Sequence, residues 1–131
     1  MKVRLLIPLV ALVLGATPVV AHHAFSAEFD ANSPVKLTGT LTRIEMVNPH
    51  GWIYIDVKNT DGTVLNWAVE TVAPNQLYRR GLRKEDFPIG TQINIEGYQA
   101  KNGKPIANGR GVTFLDGRNF FLGAAEGGPE K

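Results

Sequence analysis

Hydrophobic and polar side chains alternate along the chain in short runs, and turn residues separate these runs about every ten positions. Alternation with a period of two is typical of β-strands that bury one face. The pattern therefore predicts an all-β domain. The predicted strands are residues 35–47, 52–57, 64–70, 92–98 and 111–123.

The buried face of the first predicted strand changes sides part of the way along it. Leu37 and Leu41 share one parity, whereas Ile44 and Met46 share the other, so the inward face switches near Arg43. One extra residue in a strand, a β-bulge, produces such a change and bends the strand. We expect this strand to curl enough to pair along two edges of a barrel.

Turn residues indicate how the strands are connected. Asp61–Gly62 predicts a hairpin turn, and Asp116–Gly117 predicts a second turn within the last segment. Between the third and fourth strands, Pro74 can begin and Gly81 can end a helix of one or two turns. Three strands, a short helix, two strands and a terminal extension predict a small five-stranded OB-type barrel. A small open β-sandwich is the alternative.

The first residues have the features of a secretory signal peptide. Lys2 and Arg4 precede an apolar run over residues 5–14, and the small residues Val19 and Ala21 favour cleavage after Ala21. A permanent membrane anchor is not expected, because a spanning helix needs about 20 apolar residues. The expected divisions are a signal peptide (1–21), an N-terminal extension (22–34), the β-barrel domain (35–123) and a disordered tail (124–131).

Removal of the signal peptide would change the net charge of the chain. The whole chain has fourteen basic and twelve acidic residues, and cleavage removes Lys2 and Arg4, so the remaining chain has no net charge. A neutral protein attracts no polyanion, so nucleic acid is not an expected partner. The chain contains no cysteine, which excludes disulfides, thiolate ligands and a lipid-modified cysteine. We expect a periplasmic or secreted protein.

The histidines are the candidate metal ligands. Cleavage after Ala21 would give His22 a new N-terminal amine, and this amine can chelate one metal ion together with the His22 ring. A third nitrogen, from His23 or His50, would complete a T-shaped site suited to copper. The alternative is that His22 and His23 are two polar residues of a frayed terminus.

His50 is in the segment NPHGW, between the first two predicted strands. Asn48 and Pro49 favour a turn there, and OB-folds use the loop between these strands to bind partners. His50 is therefore a candidate ligand. Alternatively, its ring simply bonds to a nearby carbonyl or carboxylate group.

A second candidate surface is the outward face of the second and third strands. Alternation places Trp52 and Tyr54 on that face together with Glu70, and these residues form the expected binding face. Phe25 and Phe29 of the extension could instead fold over these aromatic rings. That arrangement would also carry His22 and His23 towards His50.

The sequence does not predict an enzyme. Glu28, Asp30 and Glu70 are candidate carboxylates, but such pairs are usually solvated charges. A Gly-rich phosphate loop, a nucleophile with a matching base, and zinc-type Cys/His spacing are all missing.

Several segments together resemble a family of bacterial exported proteins known only as a domain of unknown function. They include HHAFSAEFD, LTGTLTRIEMVNPHGWIYIDV, NWAVET and PNQLYRRGL. The resemblance implies export and the same fold, and it leaves the activity open. Ala24 and Met46 depart from the family's pattern. The matching positions are His22, His23, Glu28, Phe29, Asp30, Asn48, Pro49 and His50.

These observations predict a small exported binding module that holds copper through His22, His23 and His50. The alternative is a structural or protein-interaction module without a metal, whose partner would be another exported protein.

Overall fold

The computed structural model describes residues 25–123 as six β-strands with short helical segments. The signal peptide and the tail predicted from the sequence lie outside these residues, as do His22 and His23. No helix in the described part of the chain is long and apolar enough to cross a membrane. The strands are β1 (Phe29–Glu45), β2 (Trp52–Lys58), β3 (Val64–Glu70), β4 (Gln92–Ala100), β5 (Ile106–Phe114) and β6 (Asn119–Phe121), with helix α1 (Pro74–Arg79) and a 3₁₀ turn (Lys84–Asp86) between β3 and β4.

The strands form one sheet in the order β3-β2-β1-β4-β5-β6, and a further pairing joins β3 to β5. Hydrogen bonds therefore run in a ring through the first five strands. Every pairing is antiparallel except that between β3 and β5. The prediction of a mostly β fold is confirmed. The predicted count of five strands was too low, because the turn at Asp116–Gly117 divides the last segment into β5 and β6.

Strand β1 bends and pairs on both sides, as the change of parity predicted. Its first part pairs with β4 as far as Thr40, and its last part pairs with β2 from Thr40 onwards. The register with β2 shifts between Leu41 and Arg43, which is the position of the predicted bulge. The bend allows this one strand to contribute to two edges of the ring.

Strand β1 begins at Phe29, six residues before the predicted strand. Phe29 pairs with Ala100 of β4, and its side chain is only 4% exposed. Alternation alone does not identify this residue as part of the strand, because an irregularity lies between Phe29 and Pro34. Residues 29–34, which the sequence assigned to an extension, are therefore part of the sheet.

The hydrophobic core is a single cluster of buried side chains to which all five strands of the ring contribute. Its largest fully buried side chains come from alternate positions of the strands, as expected when one face of each strand points inward. Leu77 of α1, together with Leu82 and Leu122, extends the same core. The largest fully buried side chains of the strands are those of Leu41, Ile53, Ile55, Val69, Ile93, Ile95 and Val112.

Helix α1 begins and ends where the sequence predicted. Pro74 occupies the first turn, where an amide donor is not needed. At the other end, the backbone N–H of Leu82 donates to the Leu77 carbonyl (3.0 Å) and that of Gly81 donates to the Tyr78 carbonyl (3.0 Å). These two bonds form a Schellman motif, which requires Gly81 to adopt its positive φ of 84°.

We expect Gly81→Ala to lower the free energy of unfolding by about 1 kcal/mol, because a left-handed backbone disfavours a Cβ. Steric overlap should not contribute, since the nearest atom to that Cβ would be Phe120 Cε1 at 4.0 Å. Urea unfolding measures the change. Gly81→Asn is the control, because asparagine tolerates this conformation better than alanine. Equal losses in the two variants would contradict the explanation.

Candidate metal-binding site around His50

His50 lies in the loop between β1 and β2, directly after the cis peptide bond between Asn48 and Pro49. The next residue, Gly51, is bonded to the chain that follows β3. Its N–H donates to the Val72 carbonyl (3.2 Å), and its carbonyl accepts from the Thr71 N–H (2.8 Å). These two backbone bonds hold His50 beside the end of β3.

The ring of His50 has a defined orientation. Its Nδ1 atom lies 3.0 Å from a carboxylate oxygen of Glu70 and 3.1 Å from the backbone carbonyl oxygen of Thr71. A carbonyl oxygen can only accept, so Nδ1 must carry the proton and donate it. Within residues 25–123, Nε2 has no hydrogen-bond partner, and the side chain is 50% exposed. In the neutral ring, Nε2 therefore has a lone pair available to a ligand.

Glu70 is the most enclosed charged group of this site. Its side chain is only 12% exposed. Burial raises the pKa of its carboxyl group above the ordinary value; the neighbouring His50 acts in the opposite direction, and the negative charge of Glu28 raises it further.

The segment before β1 is attached to β4 and to the turn that follows it. The Phe25 ring lies 5.8 Å from the Phe29 ring and 5.7 Å from the Tyr98 ring, and it meets Tyr98 edge-on. The backbone N–H of Lys101 donates to the Glu28 carbonyl (2.9 Å), and its ammonium group donates to the Ser26 carbonyl. These contacts attach residues 25–28 to the end of β4 and to the turn after it.

The alternative in which Phe25 and Phe29 fold over the rings of Trp52 and Tyr54 was wrong, because Phe25 packs on Tyr98 instead. Among the described residues, Phe25 contacts Phe29 and Tyr98, and neither phenylalanine makes a ring contact with Trp52 or Tyr54. The reason is that β1 begins early and pairs with the end of β4, which carries the segment to Tyr98.

The segment nevertheless lies on the same face of the sheet as Glu70. Tyr98 pairs with Asn108, and Asn108 pairs with Glu70. Directly paired residues share a face, and neighbouring strands lie about 4.8 Å apart, so Tyr98 and Glu70 are roughly 10 Å apart across the sheet. The N-terminal segment thus reaches the end of the sheet that holds His50.

The three residues of the predicted binding face do lie together. Trp52 pairs with Glu70, and both side chains are half-buried, while the intervening residues of β2 point into the core. Tyr54 is less accessible than expected. The Arg43 guanidinium lies 3.8 Å from the centre of its ring, and its hydroxyl donates to Glu45 (3.3 Å).

The described residues alone do not form a metal site. Within residues 25–123, no group of three His, Cys, Asp or Glu side chains is arranged to hold an ion. His50 is the single histidine in that range. A nitrogen-rich site centred on His50 therefore requires donors such as His22 and His23.

Sequence reasoning missed Tyr98 and Lys101, which position the N-terminal segment. Tyr98 follows a register shift in β4 between Glu96 and Gly97, and this shift obscures the face on which it lies. Lys101 acts largely through its backbone, which gives no signal in the sequence. The Thr71 carbonyl that orients His50 is likewise a backbone group.

Residues 10–109, more than half of the chain, match the model of a protein family described as a family of unknown function, DUF6152. The matched range includes His50, Glu70 and the whole segment before β1. No curated protein and no solved structure matches the chain.

Proposed function

Since the chain belongs to DUF6152, a family of unknown function, we propose a role from the site itself: a small exported module that binds copper through His22, His23 and His50, without catalysing a reaction. The observation that carries the proposal is the orientation of His50. Its Nδ1 donates to Glu70 and to Thr71, which leaves Nε2 as the donor atom. Metal-binding histidines commonly use one ring nitrogen for a carboxylate or carbonyl and the other for the metal.

Copper is the metal of choice because all the proposed donors are nitrogens. The N-terminal amine and ring of His22 form a chelate, and His50 Nε2 supplies the third position, with His23 in support. Imidazole and amine donors suit copper, and Cu²⁺ has the highest affinity among divalent first-row ions for such sites.

The chain length between His22 and the described residues is compatible with this site. His22 is three residues from Phe25, so the two backbones are separated by at most about 11 Å. Phe25 itself is packed on Tyr98, on the face that also carries Glu70. The packing of Phe25 thus supports an approach of the N-terminal amine to His50.

Export and the finer fold belong to the same proposal. Cleavage after Ala21 would create the required amine, and the protein would then work in the periplasm or outside the cell. We further propose that the ring of five strands is an OB-type barrel. The short helix after the third strand and the curled first strand support this assignment, and His50 would then lie in a loop that such barrels use for binding.

The test starts from the full chain, exported and processed by a bacterial host. Its intact mass should correspond to a protein that begins at His22. Titration with Cu(II) against a competing chelator should then show a single tight site. We expect His50→Ala to weaken Cu(II) binding by about 100-fold, since loss of a ligand should cost at least as much as loss of its outer partner.

Two further variants make the test specific. His22→Ala keeps the N-terminal amine but removes the ring that would chelate the ion with it, and it should weaken binding to a similar extent. Asp61→Ala, in the β2–β3 hairpin, is the matched control and should bind as the wild type does. A mature chain that begins elsewhere, or Cu(II) affinity that is indifferent to His50, would refute the copper site and favour a protein-interaction module.

A further inference from the structure

We propose that the outer face of β4, β5 and β6 carries a binding site for a neutral sugar ring, a pyranose. The site does not involve His50, so this inference is independent of the proposed copper site. The site is a cleft of about 360 Å³, which is at the small end of the range of ligand sites, about 300–1,000 Å³. Its lining includes Glu96, Arg110, Gly111, Thr113, Asn119 and Phe121.

Gly111 forms the floor of the cleft. It pairs with Glu96 of β4 on one side and with Phe121 of β6 on the other, so the three residues form one row across the sheet. Directly paired residues share a face, and the backbones of Glu96 and Phe121 are therefore roughly 10 Å apart. Apart from its chain neighbours, the nearest atom to a Cβ added at Gly111 would be Phe120 O at 3.7 Å. The space between the Glu96 and Phe121 side chains is therefore open.

Phe121 supplies an apolar wall that is held in place. The residue is 41% exposed. Arg80 Nη1 donates to the carbonyls of Phe121 (2.9 Å) and Gly123 (2.8 Å), and the Arg80 guanidinium lies 5.1 Å from the centre of the Phe121 ring. An ordered aromatic ring offers apolar surface to the C–H groups of a sugar at a small cost in conformational entropy.

The polar lining residues offer hydrogen bonds of both kinds. Thr113 and Asn119 pair with each other in the next row of the same face, and a hydroxyl and an amide group can each donate and accept. Glu96 accepts, while Arg110 donates to the Tyr98 hydroxyl (3.0 Å) and has further N–H groups. Each hydroxyl group of a pyranose can both donate and accept, so one such ligand can satisfy all of these residues.

The charges around the cleft favour a neutral ligand. Among the described residues that line it, Glu96 is the one acid and Arg110 the one base, so their charges cancel. An organic cation is the alternative occupant, because an aromatic ring beside a carboxylate attracts one. Arg110 in the lining and Arg80 beside the Phe121 ring oppose a cation, while the Glu96 carboxylate opposes an anion.

The experiment is an NMR titration of the exported full chain, labelled with ¹⁵N, with glucose, galactose, mannose and N-acetylglucosamine in turn. We expect at least one of these sugars to shift the backbone amide signals of Gly111, Thr113 and Phe121 in a saturable manner. The Kd should be about 1–10 mM, as expected for a ligand of this size. The amide signal of Asp61, in the β2–β3 hairpin, should not move.

Three variants make the experiment specific. Phe121→Ala should weaken sugar binding about tenfold, because the stacking surface is lost. Tyr78→Ala is the matched control, since Tyr78 is a similarly exposed aromatic (38%) that is not among the residues that line the cleft, and it should bind as the wild type does. Gly111→Val should abolish the shifts and keep the strand, because a β-branched side chain suits a strand but would fill the cleft.

The outcomes are distinct from those of the copper proposal, because His50→Ala should bind sugars as the wild type does. Absence of saturable shifts with every one of these sugars would overturn the sugar site, as would binding that Gly111→Val leaves intact. Shifts at Gly111 with tetramethylammonium or inorganic phosphate alone would also overturn it, in favour of an ion site. If Phe121→Ala does not fold, as judged by circular dichroism, Gly111→Val decides the matter.

Discussion

We expect Gly97→Ala to lower the free energy of unfolding by about 3 kcal/mol. This is one of the largest effects expected of any conservative substitution in this protein. Gly97 lies at the register shift of β4, where β4 passes very close to β5. A Cβ there would overlap the backbone oxygen of Asn108 and would lie 3.3 Å from Gly109 Cα. Because the obstructing atoms belong to the backbone, no side chain can rotate away, and the two strands would have to separate.

Gly111→Ala is the matched control for Gly97→Ala. Gly111 also lies in the β4–β5 pairing, but the nearest atom to its added Cβ would be Phe120 O at 3.7 Å, an ordinary contact. We expect this control to change the stability by less than about 0.5 kcal/mol. Thermal unfolding followed by circular dichroism should show a Tm roughly 15 °C lower for Gly97→Ala. Similar Tm values for the two variants would show that the close approach is not needed.

Leu41→Ala is expected to cost about 2–5 kcal/mol, because it leaves a cavity in the centre of the core. Leu41 is 0% exposed and lies at the bulge where β1 changes its partner from β4 to β2. Its side chain therefore contributes to the packing of both halves of the sheet. The loss should be visible in urea unfolding as a lower midpoint.

The control for this prediction is Leu65→Ala, which removes the same atoms from a position that is 43% exposed. We expect it to cost less than about 1 kcal/mol, since little apolar surface returns to water. If both leucine variants lost the same stability, the core would not be centred on the bulge of β1.

Gly97 also matters for the geometry of the candidate site. Tyr98 lies one residue beyond Gly97 and carries the ring on which Phe25 packs. Gly97 allows β5 to approach β4 closely. Asn108 of β5 pairs with Tyr98 on one side and with Glu70 on the other, so β5 connects these two residues. Separation of β4 from β5 would therefore displace the N-terminal segment relative to His50.

The sequence by itself determined the local features of the fold. Alternation gave the inward faces of β2 and β3, and the change of parity located the bulge of β1 between Leu41 and Arg43. Pro74 and Gly81 gave the ends of α1. These features depend on a few neighbouring residues and on solvent, so their physical cause is contained in a short segment of chain.

Part of the candidate site was also accessible from the sequence. The NPH segment predicted a turn histidine that either bonds to a carboxylate or carbonyl group or binds a ligand. The first alternative is confirmed at Nδ1, which contacts both Glu70 and Thr71. The copper ligands remain a prediction, because His22 and His23 lie outside the described residues.

Only the tertiary structure decided which distant residues meet. It paired β3 with β5 in parallel, began β1 at Phe29, and placed Phe25 on Tyr98 rather than on Trp52. It also brought Glu70 and the Thr71 carbonyl, some twenty residues along the chain, to one nitrogen of His50. The periodicity of a strand specifies which face is buried but not which strand lies beside it, since that choice depends on how the whole set of apolar faces packs into one core.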